Sequence, residues 1–439
     1  MKKKVLASLL VAAMAASMVA GCGDNTADTT KNDTTAKDTT ATDTTAADTT
    51  VEEEEITCTL QVMGPSEDLD DAQGAWLKAR CEAFKAAHPN WHITFEYLTC
   101  SESDAKDTVL QDVANAADVY MFANDQLKAL VDGGAIAKLG GDAAEYVKSS
   151  NSEAMAATVM LNGDVYGVPY TSNTWFMYYD KRVFSEEDVK SMETMLEKGK
   201  VSFPLDNGWY LCAFFTANGC TFYGDGSQES AGIDFSGDKA TAVSNYIVNL
   251  VQNPNFVVDS NDGSLGLAGL GDGSVNVYFN GNWNYNNVVE KLGAENVGVA
   301  QLPTITIDGE AKQMRAFLGS KAIGVNPNAD NMQVAVALAA FLGSEESQLT
   351  HFELRGQAPV ATSLATNETI AADPVATALA NVAANTSVCQ PVFGMDGYWT
   401  AATPFGAAFV PGAEDQITAD NAAEKTQAFN DQCNGSVVE

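Results

Sequence analysis

Apolar residues along the chain follow two kinds of spacing, the two-residue period of strands and the longer period of helices. Ala75–Ala87 places Leu77, Cys81 and Phe84 on one helical face and stops before a proline. A second helix is predicted over Gln126–Val131, ahead of a glycine pair. Strands are predicted around these helices over Thr57–Met63, His92–Leu98 and Asp118–Phe122. This order predicts a parallel sheet with helices on both faces.

The residues that follow the predicted strands are candidate site residues, because ligands of such sheets bind beyond the carboxyl ends of the strands. Gly64–Asp68 follows the first strand and Ala123–Gln126 follows the third. We therefore expect the ligand near these two segments.

Later parts of the chain indicate a second lobe. The chain has 439 residues, about three times the usual length of a single domain. Val168–Lys181 and Leu318–Asn326 are extended runs suited to crossing between lobes, and helices are predicted around Val334–Leu342 and from Asp373-Pro374. The fold class predicted is α/β, with two lobes joined by hinge crossovers. We expect an N-terminal lobe of residues 56–170 and 323–370, and a C-terminal lobe of residues 171–322 and 371–439.

The N-terminus has the pattern of an export signal. Three lysines follow Met1, and the apolar run Val5–Ala20 is too short to span a bilayer, so residues 1–21 are predicted to be a signal peptide. The run ends in Val19-Ala20-Gly21-Cys22, which resembles the bacterial lipobox. In that motif the cysteine thiol takes a diacylglycerol, so Cys22 is the predicted lipidation site.

The segment after Cys22 has low complexity. An aspartate recurs every five residues from Asp28 to Asp48, each followed by two threonines. Such a segment has no large apolar side chain to bury and carries charges that repel, so residues 22–55 are predicted to be a disordered tether. A random coil of this length spans roughly 30 Å.

Charge and histidine content exclude several classes of function. The chain has 24 basic and 58 acidic residues, a formal charge of −34, which disfavours nucleic acid and anionic membrane surfaces as partners. Its three histidines have no metal-ligand spacing, and no phosphate-binding glycine loop or nucleophile elbow is present. Asp259–Gly263 resembles half a calcium loop with the wrong spacing. We expect no metal and no cofactor.

Seven cysteines remain once Cys22 is assigned to lipid. Because seven is odd and no pair has CxxC spacing, at least one thiol stays free and no disulfide is assigned. Cys81, on the core face of a predicted helix, is expected to be a small buried apolar residue.

Five segments, taken in order, carry a family resemblance. They are Ala117–Asp125, Asn162–Pro169 with the following Tyr178–Lys181, Phe279–Trp283, Leu302-Pro303, and Met395–Trp399. Over roughly residues 56–435 the chain resembles the extracytoplasmic solute-binding proteins of ABC importers, specifically the maltose/maltodextrin-binding branch. The resemblance implies the periplasmic-binding-protein-like fold, in which two α/β lobes close on a ligand.

The resemblance also implies a sugar site. Its aromatic residues are Phe122, Trp209, Trp283 and Trp399, and its polar residues are Asp125, Asn173, Asn207, Glu67 and Asp68. The pattern departs from the family in several places, since the family usually has tryptophan at Phe122, arginine at Gln126 and glutamate at both asparagines. Aromatic platforms are kept while several charged contacts become amides. No lysine or arginine is among these nine residues, so little salt dependence of binding is expected.

These residue types suit a neutral sugar on physical grounds. A pyranose ring presents a face of C–H groups that stacks on an indole, and its hydroxyls pair with carboxylates and amides. Trp283 and Trp399 lie in turn-like contexts typical of a site, whereas Trp76 and Trp91 are expected in the core.

The predicted function is capture of malto-oligosaccharides (α-1,4-glucans) by a lipid-anchored binding protein on the outer face of a Gram-positive cytoplasmic membrane. A monomer is expected, which contacts the membrane only through its lipid and delivers sugar to the transmembrane subunits of an ABC permease by lobe closure. No enzymatic step is expected. The alternatives are another oligosaccharide, a polyamine held by aromatic and acidic side chains, or a lipid-anchored glycosidase.

Overall fold

The computed structural model describes residues 55–435, in which strands and helices alternate. The strands are β1 (Ile56–Gly64), β2 (Trp91–Thr99), β3 (Val119–Ala123), β4 (Met160–Leu161), β5 (Asp164–Val165), β6 (Gly167–Asn173), β7 (Phe176–Asp180), β8 (Val201–Phe203), β9 (Thr221–Phe222), β10 (Ile233–Asp234), β11 (Phe256–Val258), β12 (Val277–Asn280), β13 (Val297–Ala300), β14 (Thr304–Ile307), β15 (Glu310–Gln313), β16 (Ala316–Val325) and β17 (Ser387–Cys389).

The helices cover the faces and ends of the sheets. They are α1 (Ser66–Leu69), α2 (Trp76–Ala87), α3 (Ala105–Gln111), α4 (Leu127–Asp132), α5 (Gly141–Ser150), α6 (Glu153–Ala157), α7 (Met192–Lys198), α8 (Gly208–Ala217), α9 (Gly237–Leu250), α10 (Ser264–Asp272), α11 (Tyr285–Leu292), α12 (Met332–Leu342), α13 (Glu345–Arg355), α14 (Glu368–Ala371), α15 (Pro374–Asn385), α16 (Asp396–Ala407) and α17 (Ala422–Cys433). The elements predicted from the sequence are confirmed, with shifts of a few residues at their ends.

The first lobe contains a mixed sheet. Its strand order is β17-β16-β3-β1-β2, and β6 also pairs with β16. β1 is parallel to both β2 and β3, as predicted, while β16 is antiparallel to β3 and β6. Trp76 and Trp91 are buried in the core of this lobe beside Cys81, so these three core predictions are confirmed.

The second lobe has its own sheet and core. The strand order is β11-β8-β12-β7-β13, with β8 parallel to β11 and β12, and β7 antiparallel to β12 and β13. Helix α8 is apolar on almost every face because it is buried between this sheet and the C-terminal helices.

The chain passes between the two cores at the extended runs. β6 and β7 are separated by only two residues, and the second of these, Trp175, is buried and donates its Nε1 proton to the Trp209 carbonyl at 3.1 Å. Along β16, Phe317 belongs to the C-terminal core and Ile323 to the N-terminal core. We keep the lobe boundaries given above as a proposal, supported by these changes of core.

Candidate ligand-binding cleft

A cavity of about 480 Å³ lies between the two lobes. Its N-terminal wall is formed by the end of β3, the turn that follows it and the start of α3, and its C-terminal wall by the start of α8 and the turn into α16. Five of the nine predicted ligand residues line it: Asp125, Asn173, Asn207, Trp209 and Trp399. Segments far apart in the sequence therefore meet at the carboxyl end of a strand, where the fold favours ligand binding.

Asp125 joins the two walls of the cavity. It lies in the turn Asn124–Gln126 after β3, and its Oδ2 accepts a hydrogen bond from Nε1 of Trp399 at 3.2 Å. Burial of the carboxylate raises the pKa of Asp125 to about 6, although the Trp399 hydrogen bond and the nearby Lys106 charge both lower it.

The raised pKa of Asp125 predicts a pH-dependent stability. The folded protein binds the Asp125 proton more tightly than the unfolded chain does. The protonated carboxyl therefore stabilises the fold fully below the unfolded pKa, and this stabilisation is lost as the pH rises through about 6. The melting temperature of Asp125→Asn minus that of wild type should therefore be larger at pH 8 than at pH 4. Thermal denaturation across this range measures the offset, and an offset that is constant with pH would contradict the prediction.

The aromatic wall of the cavity is a cluster of packed rings. Trp209 and Trp399 have ring centroids 6.4 Å apart, and both pack on Phe317 of β16. Asn207 caps helix α8, since its side chain accepts from the Trp209 N–H at 3.0 Å and donates to the Asn261 carbonyl at 2.9 Å. Asn207 thus holds Trp209 in position as well as lining the cavity.

Trp283 lies outside this cavity but faces the same side of the cleft. It is 40% exposed, and the Lys321 ammonium is 6.0 Å from the centroid of its ring. Lys321 is paired with Ala123 across β16 and β3, so both side chains are on one face of the sheet, and Ala123 lines the cavity. A Cβ on Gly281 would be 2.1 Å from the Trp283 ring, so a side chain at this position would displace the indole, which folds over its own turn.

Two lysines in the cleft were not predicted. Lys106 lines the cavity, and its Nζ lies 2.8 Å from Asp396 Oδ1 on the opposite wall. Lys321 pairs with the buried Glu102 at 3.1 Å. Neither lysine is among the nine residues predicted from the sequence, because single lysines in a helix or strand have no sequence signal that distinguishes them from surface lysines.

Phe122 was predicted to be a sugar platform, and the structure contradicts this. Successive side chains of a strand point to opposite faces, and Ala123 is the residue that lines the cavity. Phe122 is therefore directed into the core, where it is fully buried and packs on Tyr120 with centroids 6.1 Å apart.

Asp68 was also predicted to bind ligand, and it is instead buried in an ion-paired cluster. Its Oδ1 lies 3.0 Å from His351 Nε2 and 3.4 Å from Arg355 Nε, both on α13. The imidazole in turn stacks on Trp76 with centroids 4.1 Å apart. Glu67, beside it, is exposed and does not line the cavity.

Asp259, in the segment that resembles half a calcium loop, has structural partners. Asp259 accepts hydrogen bonds from the Ser202 hydroxyl at 2.6 Å and from the backbone N–H groups of Ser260 and Gly266 at 2.8 Å. Within residues 55–435 no group of three acidic, histidine or cysteine side chains is placed to hold a metal ion. The seven cysteines of this range are all unpaired.

Comparison with known proteins gives the family. A model of the bacterial extracellular solute-binding protein family matches residues 79–378. The chain belongs to this family. Among curated relatives of this solute-binding protein, a maltooligosaccharide ABC transporter solute-binding lipoprotein of Streptococcus pneumoniae is 24% identical over 70% of the chain and 75% of the relative. A galactooligosaccharide-binding protein of Bacillus subtilis is also 24% identical, over the same shares of the two chains.

Solved structures agree with the bilobal fold. A structure with acarbose is 70% identical to this solute-binding protein, with a TM-score of 0.85 over 87% of this chain and 99% of the other. A maltodextrin-binding protein of L. casei, solved without ligand, is 26% identical with a TM-score of 0.77, over 86% and 99% of the two chains. The predicted fold class and family resemblance are confirmed.

Proposed function

We propose that this solute-binding protein captures malto-oligosaccharides for an ABC importer. The observation that carries the proposal is the wall formed by Trp209 and Trp399, with the Asp125 carboxylate bonded to the edge of one indole. Indole faces stack on pyranose rings, and a carboxylate beside them accepts protons from sugar hydroxyls. The 70% identical protein solved with acarbose, a malto-oligosaccharide analogue, supports the same ligand class.

Trp283 extends the proposed site along the cleft. Its exposed indole lies 6.0 Å from the Lys321 ammonium, which also pairs with the buried Glu102, so it offers a further platform next to a charged donor. A linear oligosaccharide that reaches from the cavity to Trp283 would contact both lobes. Closure of the lobes on such a ligand would present it to the transmembrane subunits of the permease.

A polyamine is distinguished from a neutral sugar by its charge. The cavity wall carries Asp107, Asp125 and Asp396 against Lys106, so a polyamine is the second candidate ligand. Lys106 pairs with Asp396 at 2.8 Å and with Asp107 at 3.6 Å, so two of the three carboxylates already have a partner within the protein and are less available to a cationic ligand. This pairing favours the neutral sugar.

A calorimetric panel tests the proposal. Maltotriose, maltotetraose, a galactooligosaccharide and spermidine are titrated at low and high salt, and maltotriose is analysed for breakdown after long incubation. Malto-oligosaccharides should bind most tightly, with an affinity that changes little with salt, because the ligand is neutral. Spermidine as the best ligand, with steep salt dependence, would reject the proposal, and release of glucose or maltose would indicate a glycosidase.

We further propose that the protein is a lipoprotein anchored through Cys22 to the outer face of a Gram-positive cytoplasmic membrane. The signal peptide, Cys22 and the tether lie outside the described residues, so this proposal rests on the sequence motif and on the relatives named lipoproteins. Among the described residues, none of the helices is both long and apolar enough to cross a membrane. A monomer is proposed.

The anchor is tested by Cys22→Ser. The variant should move from the membrane fraction to the medium, because it lacks the thiol that takes the lipid, and its affinity for maltotriose should equal that of wild type. Cell fractionation with immunodetection and calorimetry measure the two properties. Retention of the variant in the membrane fraction would contradict the lipobox assignment.

A further inference from the structure

The side-chain amide of Gln390 is a buried polar group without a hydrogen-bond partner for its oxygen. Gln390 follows β17 directly and is 1% exposed. Its backbone is fully used, since its N–H donates to the Leu318 carbonyl at 3.0 Å and its own carbonyl accepts from Asn124 Nδ2 at 3.1 Å. The side-chain oxygen Oε1, in contrast, is shielded from solvent and accepts no hydrogen bond from any group within residues 55–435. Such groups are costly and rare in native proteins.

This amide lies in the wall of the cleft cavity. Its oxygen packs against β16, where a Cβ on Gly319 would be only 2.1 Å from Gln390 Oε1 and from Asn124 Oδ1. Position 319 therefore has to be glycine for the two amides to take these places. With Oε1 against the strand, Nε2 is the end of the Gln390 amide that is turned away from β16.

Two of the other three amides of the cavity wall, those of Gln126 and Asn207, are committed to protein partners. Gln126 accepts from the Lys106 N–H at 2.9 Å and donates to the carbonyls of Glu102 and Ser103. Asn207 caps helix α8. The Gln390 amide has no comparable partner within residues 55–435, and its Nε2, which is turned away from β16, can donate a hydrogen bond to a sugar hydroxyl.

We infer that Gln390 is a specificity-determining residue whose amide hydrogen-bonds a hydroxyl of the glucosyl unit bound in the cavity. The inference rests on the proposed function and adds to it a group that the sequence did not indicate. A site with a buried amide aimed at a hydroxyl rejects a sugar without that hydroxyl, because the amide then stays unpaired. Since Gln390 is bonded to β16 and to the turn after β3, this discrimination takes place at the hinge.

Gln390→Met and Gln348→Met form a matched pair that tests the inference. Gln348 is equally buried, but its amide donates to the Gly343 carbonyl at 2.8 Å and accepts from the N–H groups of Val360 and Ala361. Methionine has nearly the same length and shape as glutamine without its polar atoms. Gln390→Met should weaken maltotriose binding about tenfold, the size of one net hydrogen bond, and should melt at or above the wild-type temperature. Gln348→Met should melt lower and bind as wild type does.

Monodeoxy maltotrioses add a readout that a structural role would not change. Wild type should discriminate against one analogue about tenfold, and Gln390→Met should bind that analogue and maltotriose equally. An affinity of Gln390→Met within twofold of wild type, a melting temperature lowered as in Gln348→Met, or failure to fold would each overturn the inference. If wild type binds no malto-oligosaccharide, the proposed function fails and this inference fails with it. If wild type binds maltotriose and Gln390→Met binds it equally well, the role of Gln390 is rejected and the proposed function stands.

Discussion

Trp283→Ala is expected to weaken maltotriose binding about ten- to a hundredfold while leaving the melting temperature nearly unchanged. The indole is 40% exposed and lies outside the cavity beside the Lys321 ammonium, so its removal deletes a stacking face and little core packing. Calorimetry and thermal denaturation of the same preparation measure both effects.

Trp91→Ala is the matched control for this prediction. Trp91 is only 6% exposed and stacks on His88 with ring centroids 4.3 Å apart, in the core of the N-terminal lobe. Its removal should cost about 3–5 kcal/mol of unfolding free energy and leave the affinity of the folded molecules intact. The opposite pattern, with Trp283→Ala unfolding and the remaining molecules binding normally, would remove Trp283 from the site.

Trp399→Ala should have both effects. Its ring packs on Phe317 and Tyr398, so stability falls, and its Nε1 proton bonds Asp125, so affinity falls as well. Its turn-like sequence context predicted a site residue rather than a core residue. The packing of the ring changes that expectation.

Asp68→Asn is expected to destabilise the fold by about 3–5 kcal/mol without changing sugar affinity, because it leaves the buried His351 and the half-buried Arg355 without their carboxylate. Asp71→Asn is the control. It breaks an exposed pair with Lys78 and should cost less than about 1 kcal/mol. Chemical denaturation measures the first property and calorimetry the second.

The effect of Asp68→Asn should depend on pH in a defined direction. Burial raises the pKa of Asp68, but His351, Arg355 and Lys321 outweigh it and hold the pKa below its ordinary value of 3.8. A carboxyl with a lowered folded pKa stabilises the fold above its unfolded pKa, and this stabilisation is lost as the pH falls through the folded value. The difference between wild type and variant should therefore be full at pH 6–8 and shrink below about pH 4. A difference unchanged at pH 3, or a large loss of affinity at neutral pH, would show that Asp68 acts otherwise.

Secondary structure and the class of site could be predicted because their signals are local. The period of apolar residues in Ala75–Ala87 and the proline after Asp373 each act within one or two turns of chain, and the structure has helices at both places. Trp283 is exposed, as its asparagine-rich turn suggested. The family resemblance pointed to Asp125, Trp209 and Trp399 as ligand residues, and all three line the cavity. Asp125 and Trp399 lie in motifs that include the turn which positions each of them.

The errors occurred where the direction of a side chain depends on a distant partner. Phe122 and Ala123 are neighbours, and which of them faces the cleft depends on which face of β3 the core covers. Asp68 was mistaken for a ligand contact because its partner His351 is 283 residues away. Lys106 and Asp396 are separated by 290 residues, and neither has a local feature that predicts their contact.

The sequence by itself determined the order of strands and helices, the two-lobe class, the family and five of the residues that line the cleft cavity, since short-range periodicity and contiguous motifs encode all of these. Only the tertiary structure decided which carboxylates are free to meet a ligand, which lysines enter the cleft, and that the Gln390 oxygen accepts no hydrogen bond within residues 55–435. Those properties depend on burial and on pairing between segments hundreds of residues apart. Burial and long-range pairing arise only when the chain has folded, because they are set by the packing of whole elements against each other.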